Sequence, residues 1–333
     1  MKFSKINDVL AGEPKYRLTQ VNRAIFSDLV SDWAEVTALP KMLREKLQMT
    51  CPLEIPSEVS VSADKDTIKT LMALSDEKCI ETVLMRHEDG RNTVCVSSMV
   101  GCPMNCAFCA TGSMGLMRKL TADEIVTQVL FFARLLKKEG ERVGSVVFMG
   151  MGEPFLNYDN VMQSVRIMNS PEGFGIGARH ISISTCGIFD GIKKLADEDL
   201  AVNLAISLHA PNDETRRKLM PVAHGYEIKE LLSVVDEYIA KTNRKVMFEY
   251  LMINGINDTD EMARELTGLL KNKLCVVNLI QYNDTGAFTA SSHNRMNRFK
   301  EILEKNGVQV TMRHRFGRDI KGACGQLAAE RTF

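Results

Sequence analysis

The sequence predicts an α/β chain: a partial (β/α)6 barrel preceded by a small N-terminal helical domain and a short β linker. Three observations carry this reading. Six short runs rich in Val and Ile, TVCVSS, SVVFMG, HISISTC, AVNLAISLH, KVMFEYLM and CVVNLI, alternate with amphipathic stretches at 121–138, 158–168, 226–241, 259–271 and about 292–305. Runs that are apolar on both faces and separated by helices indicate parallel βα units. The unusual polar residues follow the runs: a cysteine cluster after the first, Gly152 and Glu153 after the second, Ser184 in the third, Ser207 and His209 in the fourth, and Asn283 after the sixth. Chemistry gathers at strand carboxyl ends in such architectures. Periodicity alone also fits an open doubly wound sheet.

The first fifty residues show helical spacing without strand alternation. Val21, Ile25, Leu29 and Trp33 fall on one face, and Leu39, Leu43 and Leu47 continue in the same style. Lys41, Arg44 and Lys46 decorate the second piece, so an RNA-touching helical bundle is the sharper reading of a plain one. Between about 55 and 85, β-prone stretches such as SEVSVSA and IETVLM suggest a small sheet or hairpin. The expected divisions are 1–55 helical and RNA-binding, 56–90 β-rich linker, 91–315 barrel, and 316–333 a C-terminal loop.

At 333 residues, 45% of them hydrophobic, the chain can bury a large core. Its formal net charge is +0, so any nucleic-acid partner must be met by local basic patches. One such patch is MRHRFGRDIK, with Arg313, Arg315, Arg318 and Lys321, and another is Arg118 with Lys119. No apolar run reaches the roughly 18 residues of a membrane span. The start, MKFSKINDVLAGEP, lacks the apolar core of an export signal, so a cytoplasmic location and no membrane partner are expected.

Nine cysteines in such a chain do not read as a disulfide framework. Cys102, Cys106 and Cys109 form C-x3-C-x2-C within GCPMNCAFCATG. Structural clusters and zinc sites take four ligands. Three thiolates instead leave one iron of a 4Fe-4S cluster open to chelate the amino and carboxylate groups of S-adenosylmethionine (SAM). The competing reading is a zinc knuckle completed from a distance.

The spacing after a first barrel strand resembles the radical SAM superfamily. The surrounding segments VCVSSMVGCPMNCAFCATG, FMGMGEPFLN, LAISLHAPND and DIKGACGQL resemble the RlmN/Cfr family of RNA adenosine methyltransferases over nearly the whole chain. The resemblance implies a radical SAM partial barrel, a 4Fe-4S cluster on Cys102, Cys106 and Cys109, and two SAM molecules per turnover. It also implies 23S rRNA and tRNA as partners, an electron donor of flavodoxin or ferredoxin type, and a monomer. GMGEP and LAISLHAPND favour the RlmN-like reaction, at C2 of adenosine 2503 of 23S rRNA and adenosine 37 of tRNA. CATGSMGL and RFGRDI resemble the Cfr-like branch, which methylates C8 and confers antibiotic resistance.

The chemistry explains why two further cysteines are needed. An adenine carbon between two nitrogens is electron-poor and does not attack a sulfonium methyl. The family parks a methyl on a protein cysteine, converts it to a carbon radical that adds to the base, and releases the adduct by forming a disulfide. By resemblance Cys324 carries the methyl, Cys95 resolves the adduct, and Glu81 accepts the proton from the base. Gly152, Glu153, Ser184, Ser207, Leu208, His209 and Asn283 match the SAM contacts, with Glu153 placed to receive the SAM ammonium. The other readings are a radical SAM enzyme with a non-RNA substrate and a non-catalytic RNA-binding protein with a structural metal.

Overall fold

The computed structural model describes residues 3–329; the last four residues of the expected C-terminal loop, 330–333, lie outside them. The strands are Ser57–Val61 (β1), Thr67–Ala73 (β2), Cys79–Arg86 (β3), Asn92–Cys95 (β4), Met99–Gly101 (β5), Leu116–Lys119 (β6), Ser145–Phe148 (β7), Ile181–Thr185 (β8), Asn203–Ser207 (β9), Val246–Met252 (β10), Cys275–Gln281 (β11) and Val310–Met312 (β12). Ten of them make one sheet in the order β1-β2-β3-β4-β7-β8-β9-β10-β11-β12. From β4 onward every neighbour is parallel, whereas β1 to β4 pair antiparallel. This is the partial barrel that the alternation of runs and helices implied, and the open doubly wound alternative is set aside.

Three elements depart from the sequence expectation. Val310–Met312 adds a seventh parallel strand, too short to stand out by period. Helix Phe189–Asp197, with Ile192 and Leu195 fully buried, crosses between β8 and β9 where no helix was expected. The β-rich region is no separate small sheet: β3 lies between β2 and β4, so IETVLM is an interior strand and Glu81 is buried at 6% exposure.

The N-terminal region is helical but broken. Helix Tyr16–Asn22 widens into a π-turn over Arg23–Ser27, and Leu29 is left-handed at φ 50°. A residue at positive φ ends a helix, so one continuous face from Val21 to Trp33 does not form. Trp33 instead opens a 3-10 turn capped by Asp32 and Glu35, and helix Lys41–Thr50 follows. Val21, Ile25, Trp33, Leu39, Leu43 and Leu47 still meet in one buried cluster, joined by Leu130 from the barrel helix Ala122–Lys137. Arg134 of that helix donates to the carbonyls of Leu53 and Val30 at 2.7 and 2.5 Å, binding the two parts together.

The segment after Met312 runs from the β12 edge back against the antiparallel strands, where Asp319 accepts the Ala63 amide at 2.8 Å. There Phe316 is buried edge-on against His87 with ring centroids 5.0 Å apart. No helix among the described residues is long and apolar enough to cross a membrane.

Candidate active site

Strands β5 and β6 pair antiparallel and close the loop between them at its base. Cys102 N donates to Gly115 O at 2.9 Å, and Cys109 N to Cys106 O at 3.0 Å. Gly101 sits at φ +74°, where a Cβ would lie 1.9 Å from Gly115 O. The staple therefore requires glycine there. Inside the loop, the thiols of Cys102, Cys106 and Cys109 border one cavity of about 130 Å³. Burial pushes Cys102 up to about 12 and Cys109 up to about 11, and the neighbouring thiols repel one another's charge. Such a triad binds as thiolates only when a cationic centre supplies the compensating charge.

Gly152, Glu153, Ser184, Ser207 and His209 line the same cavity, and each stands in or just beyond β7, β8 or β9. Gly152 is at φ +104°, and a Cβ would meet the Met99 side chain at 2.6 Å. The glycine is thus needed for close packing under β5 as well as for room beside a ligand. The Glu153 carboxylate is 2% exposed and already accepts from the amides of Phe155 at 3.0 Å and Cys186 at 2.8 Å. The Cys186 thiol adds a third bond at 2.9 Å. Burial raises its pKa, and these donors oppose that. His209 is left-handed at φ 58°, stacks edge-on against Phe108, and accepts the Leu251 amide on Nδ1 at 3.1 Å. Burial, with Arg216 adding to it, lowers its pKa to about 3, so the ring is neutral with its proton on Nε2. Leu208 is fully buried in the core and borders no cavity with the others.

Cys95 lies elsewhere, in a small adjoining cavity of about 30 Å³ that also holds Asn283. The two cavities share a wall of Met149, Ile280, Arg313, Cys324 and Leu327. Cys324 therefore borders both the cavity of Cys102, Cys106 and Cys109 and that of Cys95. Cys95, Cys102, Cys106, Cys109 and Cys324 all carry free thiols in the structure. The segment carrying Cys324 is pinned on three sides. Ala110 N donates to Gly325 O at 2.8 Å, Thr111 Oγ1 to Leu327 O at 2.5 Å, and Asn283 Nδ2 to Cys324 O at 3.1 Å. Glu81 accepts the amide of Ala328 at 2.8 Å and pairs with Lys69 at 2.8 Å. It borders neither cavity, but β3 places it one pleat from Val83, which lines the Cys95 cavity.

Residues 96–266 match the model of the radical SAM superfamily. The probable dual-specificity RNA methyltransferase RlmN of Dictyoglomus thermophilum is 46% identical over 98% of this chain and 95% of its own length. The ribosomal RNA large subunit methyltransferase N of Nitrosopumilus maritimus is 44% identical over 96% of this chain and 94% of its own. The crystal structure of a radical SAM methyltransferase from Sphaerobacter thermophilus superposes with a TM-score of 0.95 at 46% identity, covering 98% and 97% of the two chains. The chain belongs to the RlmN family of radical SAM methyltransferases. Its cofactors are a 4Fe-4S cluster and SAM. The donor types fit them: three cysteines border one cavity whose walls also carry a carboxylate, hydroxyls and a neutral imidazole.

Two charged residues in this site escaped the sequence reading. Glu249, 3% exposed, lines the cluster cavity from the middle of β10. Its signal was a lone carboxylate inside the apolar run KVMFEYLM. Arg313 was read as part of a phosphate-facing patch, yet it lines both cavities beside Glu249. Arg118 is likewise taken: its guanidinium bonds Asp76 at 2.7 and 3.0 Å and Glu124 at 2.8 Å twice. Arg315 is half-buried and donates to Tyr282 O at 2.9 Å, whereas Arg318 remains exposed.

Proposed function

We propose that this enzyme methylates C2 of adenosine 2503 in 23S rRNA, and adenosine 37 of tRNA, through a methylated Cys324. The observation that carries the reading is the position of Cys324 in the wall between the cluster cavity and the Cys95 cavity. A methyl carrier must meet its methyl donor on one side and its resolving thiol on the other. Relatives named dual-specificity RNA methyltransferase support the RNA substrates, and RNA substrates support a cytoplasmic setting, where a small redox protein of flavodoxin or ferredoxin type would be the electron donor.

In this reading Cys102, Cys106 and Cys109 hold the cluster, which when bound delivers the electron that cleaves SAM homolytically. Glu153, with both oxygens already oriented by backbone amides, offers its remaining lone pairs to an ammonium. Neutral His209 presents Nε2–H as a donor, while Ser184 and Ser207 supply hydroxyls from adjacent strand ends. Leu208 supports them through the backbone, its amide bonded to Glu249 O at 3.1 Å. Asn283 holds the Cys324 carbonyl and thereby aims the thiol. Cys95 resolves the adduct, and Glu81, one pleat away, accepts the proton leaving the base. The N-terminal helical unit (1–55), leading into the β region (56–90), the barrel (91–315) and the C-terminal loop from 316, docks the RNA beside the barrel mouth.

The decisive experiment incubates cluster-loaded protein with SAM, reductant and unmodified 23S rRNA, then digests the RNA to nucleosides for chromatography with mass detection. A 2-methyladenosine peak that vanishes in Cys324→Ala is expected. An 8-methyladenosine peak would overturn the C2 assignment, and no methylated adenosine at all would overturn the RNA substrate.

A further inference from the structure

Of the five residues in the wall between the two cavities, three are apolar, one is Cys324, and Arg313 is the charged one. Its backbone is fixed just beyond β12, where its amide donates to Leu279 O at 2.9 Å. Its guanidinium donates to Met149 Sδ at 3.2 Å. A thioether is a weak acceptor for a group with five donors. Glu249 stands across from it: Oε2 accepts from Asn278 Nδ2 at 2.8 Å, while Oε1 is buried with no hydrogen-bond partner. A guanidinium with spare donors, one buried counter-charge and a thiol on each side is placed to stabilise sulfur anions.

We propose that Arg313 is a positioning residue for both reactive thiols: its guanidinium favours the anionic, nucleophilic form of Cys324 and, across the same wall, of Cys95, with Glu249 as the counter-ion that aims it. The inference rests on the reading of Cys324 as methyl acceptor and Cys95 as resolving thiol. In the first step Cys324 gives its proton to solvent and its sulfur forms a bond to the methyl carbon of SAM. The bond from that carbon to the sulfonium breaks, and its electron pair stays on the departing sulfur. The thiolate and the sulfonium become two neutral thioethers, and Arg313 keeps its balance through Glu249.

The electrostatics agree in direction. Burial pushes both thiols up, Cys95 to about 12, and Arg313 opposes burial at each. Glu249 pushes Cys324 the other way, and Arg315 also lines the Cys95 cavity. Among the described residues of the shared wall itself Arg313 is the one cation, while Arg315 donates to Tyr282 O at 2.9 Å.

The test measures iodoacetamide alkylation of Cys324 and Cys95 against pH, by peptide mass, in cluster-loaded full-length protein without SAM or reductant. Cluster ligation protects the other reactive thiols. Arg313→Met is expected to slow both alkylations about tenfold at neutral pH and to move both profiles alkaline by about one unit. Arg313→Lys, which restores the charge, should recover much of the rate, and Cys275 serves as a distant control. Should Arg313→Met fail to load iron, Arg313→Gln, which keeps donors and loses charge, carries the same expectation. Unchanged profiles in the charge-free variants overturn the proposal, as does weakened SAM binding with unchanged profiles, which would make Arg313 a clamp for the SAM carboxylate. Intact mass after SAM alone is read separately. If the unsubstituted protein gains no methyl, the methyl-carrier reading fails, while the alkylation profiles still decide the role of Arg313.

Discussion

The carboxylate of Glu81 accepts the amide of Ala328 at 2.8 Å across 247 residues of sequence, tying the interior of the sheet to the segment that carries Cys324. Its other oxygen is held by Lys69 at 2.8 Å, with both side chains largely buried. Glu81→Ala removes charge-assisted bonds worth about 1.5–3 kcal/mol and leaves Lys69 without its partner. Amide exchange over residues 325–329 should then speed up about tenfold or more, measured by mass spectrometry. Unaltered exchange would show that Glu81 does not hold the segment. If exchange is unaltered while adenine methylation falls, the carboxylate serves the chemistry alone.

The shared wall makes the two thiols separable by experiment. Cys324→Ala should yield no protein methylation and no methylated RNA. Cys95→Ala should still acquire a methyl on Cys324, seen in the intact mass, but remain joined to RNA after one encounter. A denaturing gel with labelled RNA reads that adduct. Free turnover by Cys95→Ala would remove Cys95 from the mechanism.

Arg118 bridges Asp76 on the β2–β3 turn and Glu124 at the start of helix Ala122–Lys137. Hydrogen bonding by Arg118 holds Asp76 well below the usual carboxylate range; burial would raise Glu124, and Arg118 together with Thr121 more than reverses this. Both folded pKa values are therefore depressed, so their contribution is present above the unfolded values near about pH 4 and is lost as pH falls towards the folded ones. Arg118→Ala should cost about 1 kcal/mol at pH 7. The gap between the two proteins should close between about pH 5 and pH 2. Urea midpoints across that range check it, and a gap independent of pH would refute the linkage.

Gly101→Ala places a methyl group against Gly115 O at a positive φ. The expected cost is about 2–4 kcal/mol, concentrated in the β5–β6 staple. Iron per chain after reconstitution should drop further than the melting temperature suggests, because the staple closes the loop that carries the three thiols. Full iron loading in this variant would show that the loop holds its shape without the staple.

Local pattern was enough for much of the barrel. A buried strand needs an apolar run and a helix needs a spaced one, and both are properties of a few consecutive residues. Hence β4, β7, β8, β9, β10 and β11 and the helices between several of them were legible, as was the loop with three cysteines. Short elements were not: Val310–Met312 has too few residues to show a period, and Phe189–Asp197 carries only two or three buried positions. The N-terminal face from Val21 to Trp33 had the right residues to bury but the wrong continuity, since i, i+4 spacing does not reveal the left-handed Leu29.

The sequence by itself determined the fold class and the three-cysteine loop, and its resemblance to a family singled out Cys324 and Cys95, because each of these is written in contiguous residues. Only the tertiary structure decided which charges are free and which thiols share a wall. Arg313, Arg315 and Arg118 look alike in a basic stretch. Yet one faces Glu249 and two thiols, one bonds a carbonyl, and one is spent on two carboxylates. Most of those assignments follow from partners tens to hundreds of residues away, and the desolvation that makes a buried charge consequential exists only once the chain has closed around it.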